Sequence, residues 1–401
     1  MDTTRRKAEG GRAQAPSPSV YYAKFQQIGS ETLTKLIENL KTHHQSCPID
    51  CIIYDANLPW LIGVVKNVKL IVAAFFTQSC AVGNIYHQLQ QGLIRLPLVG
   101  QEVVVPGLPP LEPADMPSFV YRLESDILDI LLNQFAQIDK VDWVFFNTFY
   151  KLEEEVINCM SKLLSVTTIG PTIPLKYLQD QQKVLNDDQL DFDVHLYEPK
   201  TSACINWLNQ RQNESVAYVS FGSLAQLDAE QMEELAWGLK KSDKYFLWIV
   251  RESEEAKLPK GFVEETSDKG LIVRWCSQLE ILAHKAIGCF VTHCGWNSIL
   301  EAISLGVPMV AMPHWSDQST NAKFVADVWK IGVRVKGDGR GIIVREMVGS
   351  CIKEVMDGEG GEGIKRNARN LMEMAREAVK EGGSSDTSTN EFVAKLIQYC
   401  F

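Results

Sequence analysis

The sequence predicts an α/β fold built as two doubly wound blocks, and three observations point to it. Short apolar runs alternate with amphipathic segments. The alternation occurs twice along the 401 residues. A long polar, proline-marked stretch separates the two occurrences. Repeated β-α units of this kind imply parallel sheets covered by helices on both faces.

In chain order, "MDTTRRKAEGGRAQAPSPS" (1–19) is basic and lacks an apolar h-region. It reads as a flexible tail and not as a secretory signal. A helix over 31–41 leads to a polar loop with His43 and His44. The first block, 20–169, then holds the strand candidates "CIIYD" (51–55), "LIVAAFF" (70–76) and "WVFFNTF" (143–149), with helices over 120–138 and 151–163. Residues 170–200 are polar and proline-marked, as an interdomain linker is. The second block, 201–384, carries "SVAYVSF" (215–221), "YFLWIV" (245–250), "LIVRW" (271–275), "CFVTH" (289–293), "VPMVAM" (307–312) and "GVRV" (332–335). A helix over 229–241 follows the cap Asp228. Two last helices, 362–380 and 388–399, flank "EGGSSD". The segment 385–401 is expected to pack back toward the first domain.

Composition narrows the function classes. With 45% hydrophobic and 22% charged residues the chain can bury a sizeable core. A net charge of -10 disfavours a nucleic-acid partner. The longest apolar run, "LIVAAFF", is too short to insert in a bilayer. Ten cysteines fall singly at 47, 51, 80, 159, 204, 276, 289, 294, 351 and 400. That spacing fits reduced thiols in the cytoplasm and suits neither a disulfide framework nor zinc.

The stretch "CFVTHCGWNSILEAISLG" (289–306) carries the chemistry. An apolar run ends in His293, Cys294 and Gly295, and a helical pattern follows at once. Ser298 and Glu301 match a capping box. That reading leaves His293, Gly295 and Asn297 unexplained. A phosphate site at a helix N-terminus uses all five residues. In α/β sheets ligands bind beyond the carboxyl ends of the strands, and two such domains facing one another form a cleft there. Three further strand ends agree. Trp275 offers a flat face for a base, although tryptophan in that place also serves as a core residue. Asp317 and Gln318 offer a carboxylate and an amide for vicinal hydroxyls, although Asp317 could also cap a helix over 318–329. Ser223 in "FGS" adds a small hydroxyl. Together these make a nucleotide-sugar site the simplest reading.

The 44 residues from "WCSQ" (275–278) to "HWSDQ" (314–318) resemble the plant secondary-product glycosyltransferase box. The box marks family 1 UDP-glycosyltransferases, which have the GT-B fold of two facing Rossmann-like domains. The resemblance extends from about residue 20 to the C-terminus. "YDANLPW", "FFTQSCAV", "FFNTFYKLEEE" and "GPTIP" are similar to the subgroup that glucosylates small hydrophobic acceptors at hydroxyl or carboxyl groups. The resemblance implies that Trp275 stacks on uracil, that the Cys276 backbone and Gln278 contact the uracil-ribose part, and that Glu301 holds the ribose. It implies His293, Gly295, Asn297, Ser298 and Ser223 for the diphosphate, and Asp317 and Gln318 for glucose. The donor substrate would be UDP-glucose, with no cofactor and no metal. The protein would be a cytoplasmic monomer. Two positions depart from the family: Ile299 stands where threonine is usual, and His314 where a neutral residue is.

Three other motifs carry less. "GEGGEG" (358–363) follows a helix and not a strand, and its glutamates would repel a pyrophosphate. "DFD" (191–193) lies in the polar linker. The His43-His44 pair reads as surface.

The family's general base is a histidine in an N-terminal turn, oriented by an aspartate. Asp55 matches the aspartate. None of the seven histidines, at 43, 44, 87, 195, 284, 293 and 314, matches the base. By the resemblance, roughly the first 70 family residues are replaced by "MDTTRRKAEGG", so the acceptor domain is expected to be truncated and the first of the two Rossmann-like domains incomplete. Two functions follow: inverting transfer of glucose to a small hydrophobic acceptor, or nucleotide-sugar binding with little or no catalysis. An epimerase or phosphorylase of the same architecture is a third class.

Overall fold

The computed structural model describes residues 15–43, 49–65, 70–98, 100, 102–178 and 200–400. The chain forms two compact units, Met1–Ile169 with Ser385–Phe401, and Gly170–Ser384. Most of the expected linker, the "DFD" triplet, His44 and His195 lie outside the described residues.

The first unit holds β1 (Cys51–Asp55), β2 (Ile71–Phe76), β3 (Trp143–Phe146) and β4 (Val166–Thr168), all parallel and adjacent in that order. Sequence reading missed β4, because Val-Thr-Thr is too short to show an apolar run. Alternation along β3 sorts its side chains to two faces. Trp143 and Phe145 meet Phe392 of the helix Ser384–Cys400 edge to face, with ring centroids 5.4 and 5.0 Å apart. Phe146 points the other way and stacks on Phe76 at 4.5 Å, and Phe76 in turn stacks on Phe135. On β1, Tyr54 is buried while Ile53 and Asp55 are exposed.

Several helix limits differ from expectation. The first helix runs Pro18–His43 and not 31–41. Proline supplies a ready helical φ at a helix start, so Pro18 and Ser19 belong to the helix and not to the tail. The stretch 120–138 breaks into Ser118–Tyr121 and Ser125–Asn133, because Leu123 between them takes a left-handed φ of 55°. The stretch 151–163 shortens to Glu154–Met160.

Glu153, just before that helix, does a job the sequence did not suggest. It is buried, and its carboxylate accepts from the backbone amides of Cys80 (3.0 Å) and Ala81 (2.8 Å). These open the helix Cys80–Gln90, whose N-cap Ser79 accepts from the Val82 amide. One carboxylate from a distant turn thus satisfies two orphan donors and complements the helix dipole.

The second unit holds β5 (Val216–Ser220), β6 (Tyr245–Ile249), β7 (Gly270–Val273), β8 (Ile287–Thr292), β9 (Met309–Ala311) and β10 (Gly332–Arg334). All pair in parallel, in the order β10-β9-β8-β5-β6-β7. The chain winds outward through β6 and β7, then returns to the other side of β5. The direction therefore reverses between β5 and β8, the kind of point where α/β sheets bind ligands. The helix Ala229–Lys241 begins where expected, with Asp228 accepting from the Gln231 amide at 2.7 Å. The expected helix 318–329 is α-helical only over Gln318–Lys323 and continues as a π turn over Phe324–Val328. "GEGGEG" runs into the helix Gly361–Val379 directly after the helix Arg345–Asp357, with no strand before it. Among the described residues no helix is long and apolar enough to cross a membrane.

Replacing Glu153 by alanine leaves two amides at a buried helix start without an acceptor, and is expected to cost about 1–3 kcal/mol of stability. Urea unfolding followed by circular dichroism measures it; a loss under about 0.5 kcal/mol, the floor for even one ordinary hydrogen bond, would show that water replaces the carboxylate.

Candidate functional site

Because β5 to β10 are parallel, their carboxyl ends share one edge of the sheet. The segments leaving β5, β7, β8 and β9 hold every site residue predicted for this unit.

After β8 come His293, Cys294 and Gly295, then the helix Trp296–Ser304. Cys294 takes a left-handed φ of 65°. Its carbonyl accepts from Asn321 Nδ2 at 3.1 Å, which holds the turn in that conformation. The imidazole of His293 lies between two glycines. A Cβ on Gly222 would come within 3.0 Å of the ring, and one on Gly295 within 2.6 Å of Nε2. Gly222 also needs its positive φ of 68°. Burial pushes the His293 pKa down to about 4, so the ring is neutral at pH 7.

The capping-box reading of Ser298 and Glu301 fails. The helix starts three residues earlier than that reading requires, with Gly295 as N-cap, so Ser298 lies inside the first turn. Both side chains instead meet Gln278, whose Nε2 donates to Ser298 Oγ (3.0 Å) and to Glu301 Oε2 (2.6 Å). The buried Tyr218 hydroxyl of β5 donates to Gln278 Oε1 at 3.3 Å. A chain of polar contacts therefore joins β5, the segment after β7 and the helix after β8. Burial pushes the Glu301 pKa up to about 7, against the opposing bond from Gln278.

Trp275 and Cys276 leave β7, with Trp275 half-buried and Cys276 buried. The Trp275 carbonyl accepts from the Lys200 amide at 3.1 Å, and the Ser277 amide donates to Thr201 Oγ1 at 3.0 Å. After β9, Asp317 does not cap its helix through its side chain. Its Oδ2 accepts from Asn321 Nδ2 at 2.7 Å, and burial pushes its pKa up to about 6. Gln318 Oε1 accepts from the amides of His314 (2.9 Å) and Trp315 (3.0 Å). Only its Nε2 then remains to meet a ligand from this end.

Ser223, beyond β5, is exposed. Arg251, just past β6, donates through Nη1 to the Ser223 carbonyl at 2.5 Å and through Nη2 to the Ala225 carbonyl. Sequence reading missed Arg251, Asn321 and Tyr218 because their work is to hold neighbouring segments. The one available signal was a guanidinium placed directly after an apolar strand.

Asp55 belongs to the first unit. Its Oδ1 accepts from the Asn57 amide (2.9 Å) and from Asn57 Nδ2 (3.0 Å), which shapes the turn after β1. His87 of the same unit is buried against Phe135, and burial lowers its pKa. His284 lies beside Asn209. Among the described residues no group of three His, Cys, Asp or Glu side chains is placed to hold a metal ion.

Residues 27–377 match the family of UDP-glucoronosyl and UDP-glucosyl transferases. The chain is 47% identical to UDP glycosyltransferase 9 from Catharanthus roseus, over 94% of this chain and 81% of that protein. It is 44% identical to the flavonol 7-O-beta-glucosyltransferase UGT74F1 from Arabidopsis thaliana, over 97% of this chain and 85% of that one. Among solved structures, Os79 from O. sativa in complex with UDP superposes with a TM-score of 0.88 at 39% identity, covering 96% of this chain and 85% of Os79.

The raised pKa of Glu301 makes a stability prediction. In the unfolded chain the group ionises near its ordinary 4.5, in the fold near 7. As pH rises through that window the unfolded state loses its proton first, so stability is lost between about 4.5 and 7 and is level above. Glu301→Gln removes this dependence. Its stability relative to wild type should climb by about 1–3 kcal/mol from pH 4.5 to 7 and then stay flat. Denaturant unfolding at four pH values reads this out, and parallel curves for the two proteins would refute it.

Proposed function

The chain belongs to the UDP-glucoronosyl and UDP-glucosyl transferase family, and on that footing we propose that it transfers glucose from UDP-glucose, with inversion, to a hydroxyl or carboxyl of a small hydrophobic acceptor. The observation that carries this reading is the gathering of Trp275, Gln278, His293, the helix start at Asn297 and Ser298, Glu301, Asp317 and Gln318 along one edge of one parallel sheet.

In this reading uracil stacks on Trp275 beside the Cys276 backbone. Gln278 and Glu301 take the ribose. The amides of the helix Trp296–Ser304 face the diphosphate, with Gly295 giving the approach and His293, Asn297 and Ser298 adding donors. A neutral imidazole serves as a hydrogen-bond donor and not as a counter-charge. Ser223 joins them on the loop that Arg251 holds. When the acceptor oxygen displaces UDP at the anomeric carbon, negative charge grows on the leaving diphosphate, and donors already aimed there stabilise it. These donors provide that stabilisation from protein groups, so the proposal includes no cofactor and no metal. Asp317 and the Nε2 of Gln318 hold the sugar hydroxyls. The name of the flavonol glucosyltransferase relative supports glucose as the sugar and a small aromatic acceptor. We place the protein in the cytoplasm as a monomer, with no nucleic-acid partner and no membrane insertion.

One observation favours the second reading, binding without efficient transfer. The Asp55 carboxylate is bonded to Asn57, and among the described residues no hydrogen bond joins it to a histidine that could take the acceptor's proton. A phenol or alcohol must lose its proton on the way to the transition state, and losing a positioned base typically costs about 10²–10⁴-fold in rate. A carboxylic acid arrives already ionised at pH 7 and needs no base.

Calorimetry should find UDP binding to the wild-type protein. Trp275→Ala should weaken it by roughly 5- to 150-fold, the equivalent of about 1–3 kcal/mol of stacking. A folded wild-type protein that does not bind UDP would end the nucleotide-sugar reading.

Turnover should separate acceptors by charge. Aromatic carboxylic acids are expected to be glucosylated faster than phenols of the same size by about 10²-fold or more. Equal rates, measured as UDP release matched by glucoside formation, would mean that another group takes the phenol proton. UDP binding with no glucoside from either acceptor class would select the second reading.

A further inference from the structure

Gln278 opens the short helix Gln278–Leu282 after β7, and it is half-buried. Its hydrogen-bonding capacity is nearly spent inside the protein. The two Nε2 hydrogens go to Ser298 Oγ at 3.0 Å and to Glu301 Oε2 at 2.6 Å. One of the two Oε1 lone pairs takes the Tyr218 hydroxyl at 3.3 Å. A single lone pair of Gln278 is left for a ligand. Glu301 differs. It is half-buried, and among the described residues only its Oε2 takes a side-chain hydrogen bond, so Oε1 is left to receive hydroxyls.

Tyr218 is the fixed end of this chain of contacts. It is a buried residue of β5, paired in register with Phe290 of β8, and the two rings stack with centroids 5.0 Å apart. Its hydroxyl hangs from two side-chain torsions, both confined by that packing. Gln278 has three torsions and stands on a helix of barely more than one turn. Burial pushes the Tyr218 pKa up, so the hydroxyl keeps its proton and donates. Order therefore passes from the sheet to the amide and from the amide to the carboxylate.

We propose that Tyr218 is a positioning residue for ribose recognition: its hydroxyl holds Gln278, and through Gln278 it aims the Glu301 carboxylate at the ribose hydroxyls. The inference rests on the reading above that Glu301 takes the ribose.

Without the hydroxyl, a partly buried carbonyl oxygen loses its donor. Leaving such a group unsatisfied costs more than the bond itself contributed, so the amide turns toward water. Turning swings Nε2 off Ser298 and Glu301 as well, because one planar amide makes all three bonds. The Glu301 side chain then regains rotamer freedom, and the nucleotide must order it on binding. The loss falls on the ribose contact. Stacking of uracil on Trp275 does not involve the phenol. Ser298 keeps its own O–H for the diphosphate whether or not Gln278 donates to it.

Calorimetry on the full chain compares UDP with 2′,3′-dideoxy-UDP, which lacks both ribose hydroxyls. Titrations at about pH 8 lie above the Glu301 pKa of about 7, so the carboxylate form prevails. Wild type should bind UDP about tenfold or more tighter than the dideoxy compound, as hydrogen bonds to a charged group allow. Tyr218→Phe keeps the ring on Phe290 and should cut that preference about threefold or more, with the dideoxy compound within about twofold of its wild-type affinity. Gln278→Met should cut the preference likewise. Adding Tyr218→Phe to Gln278→Met should then change nothing further, because the hydroxyl acts through the amide. A merely structural hydroxyl would weaken both nucleotides alike and leave the preference standing, which overturns the proposal. An undiminished preference in Gln278→Met overturns it too, whether or not Tyr218→Phe folds. So does a fall in preference that Tyr218→Phe produces equally on both backgrounds. In these three cases the ribose reading stands. A wild type that binds the two nucleotides equally refutes the ribose reading, and the inference with it.

Discussion

Parallel pairing of β5 with β8 on one side and β6 on the other is the constraint on which the second unit depends. Parallel strands cannot be joined by tight turns, so every connection must travel back across a face of the sheet. That forces the helices onto the faces and leaves all the carboxyl ends at one edge. Residues as far apart in sequence as Ser223 and Gln318 come to the same sheet edge by this geometry alone. Polar clamps then hold the loops. Arg251 fastens the segment after β5, Gln278 joins three elements, and Asn321 ties the turn after β8 to the carboxylate after β9.

The buried ionisable groups of this edge share a bias. Burial raises the pKa of Glu301 and of Asp317 and lowers that of His293, so in each case the balance shifts toward the neutral form. Before any ligand arrives, the edge therefore carries less charge than its side chains suggest. For the diphosphate site proposed above, this lessens repulsion from the two acids. It also leaves the electrostatic work to fixed backbone dipoles, whose orientation does not depend on pH.

Much of this was legible in the sequence, for identifiable reasons. Strands buried on both faces are apolar throughout, so β2, β5, β6 and β8 announced themselves, and β1 showed as a short apolar run. The helix after Asp228 was legible because capping chemistry is local. β4 was not legible, since three residues give no pattern. The break at Leu123 was not, because nothing in leucine announces a left-handed φ. At the site, residues defined by type and spacing were readable, while those defined by what they hold were not. Ser298 shows the boundary: serine followed three residues later by glutamate is a cap in isolation, yet a tertiary partner, Gln278, claims both side chains. Glu153 is the converse, a cap supplied from a remote turn.

The helix Ser384–Cys400 packs on β2 and β3 of the first unit, although the whole of Gly170–Ser384 intervenes in the chain. On a ribosome the sheet of the first unit emerges before Gly170–Ser384, and the helix that supplies Phe392 emerges after it. At about 5–20 residues per second, Ile71, Ala73 and Phe145 wait on the order of ten to sixty seconds for their cover. During that interval the nascent chain displays an apolar sheet face, the kind of surface that chaperones hold. The second unit, continuous in sequence, has no such wait. Synthesis itself thus sets an order in which the continuous unit completes its core before the discontinuous one.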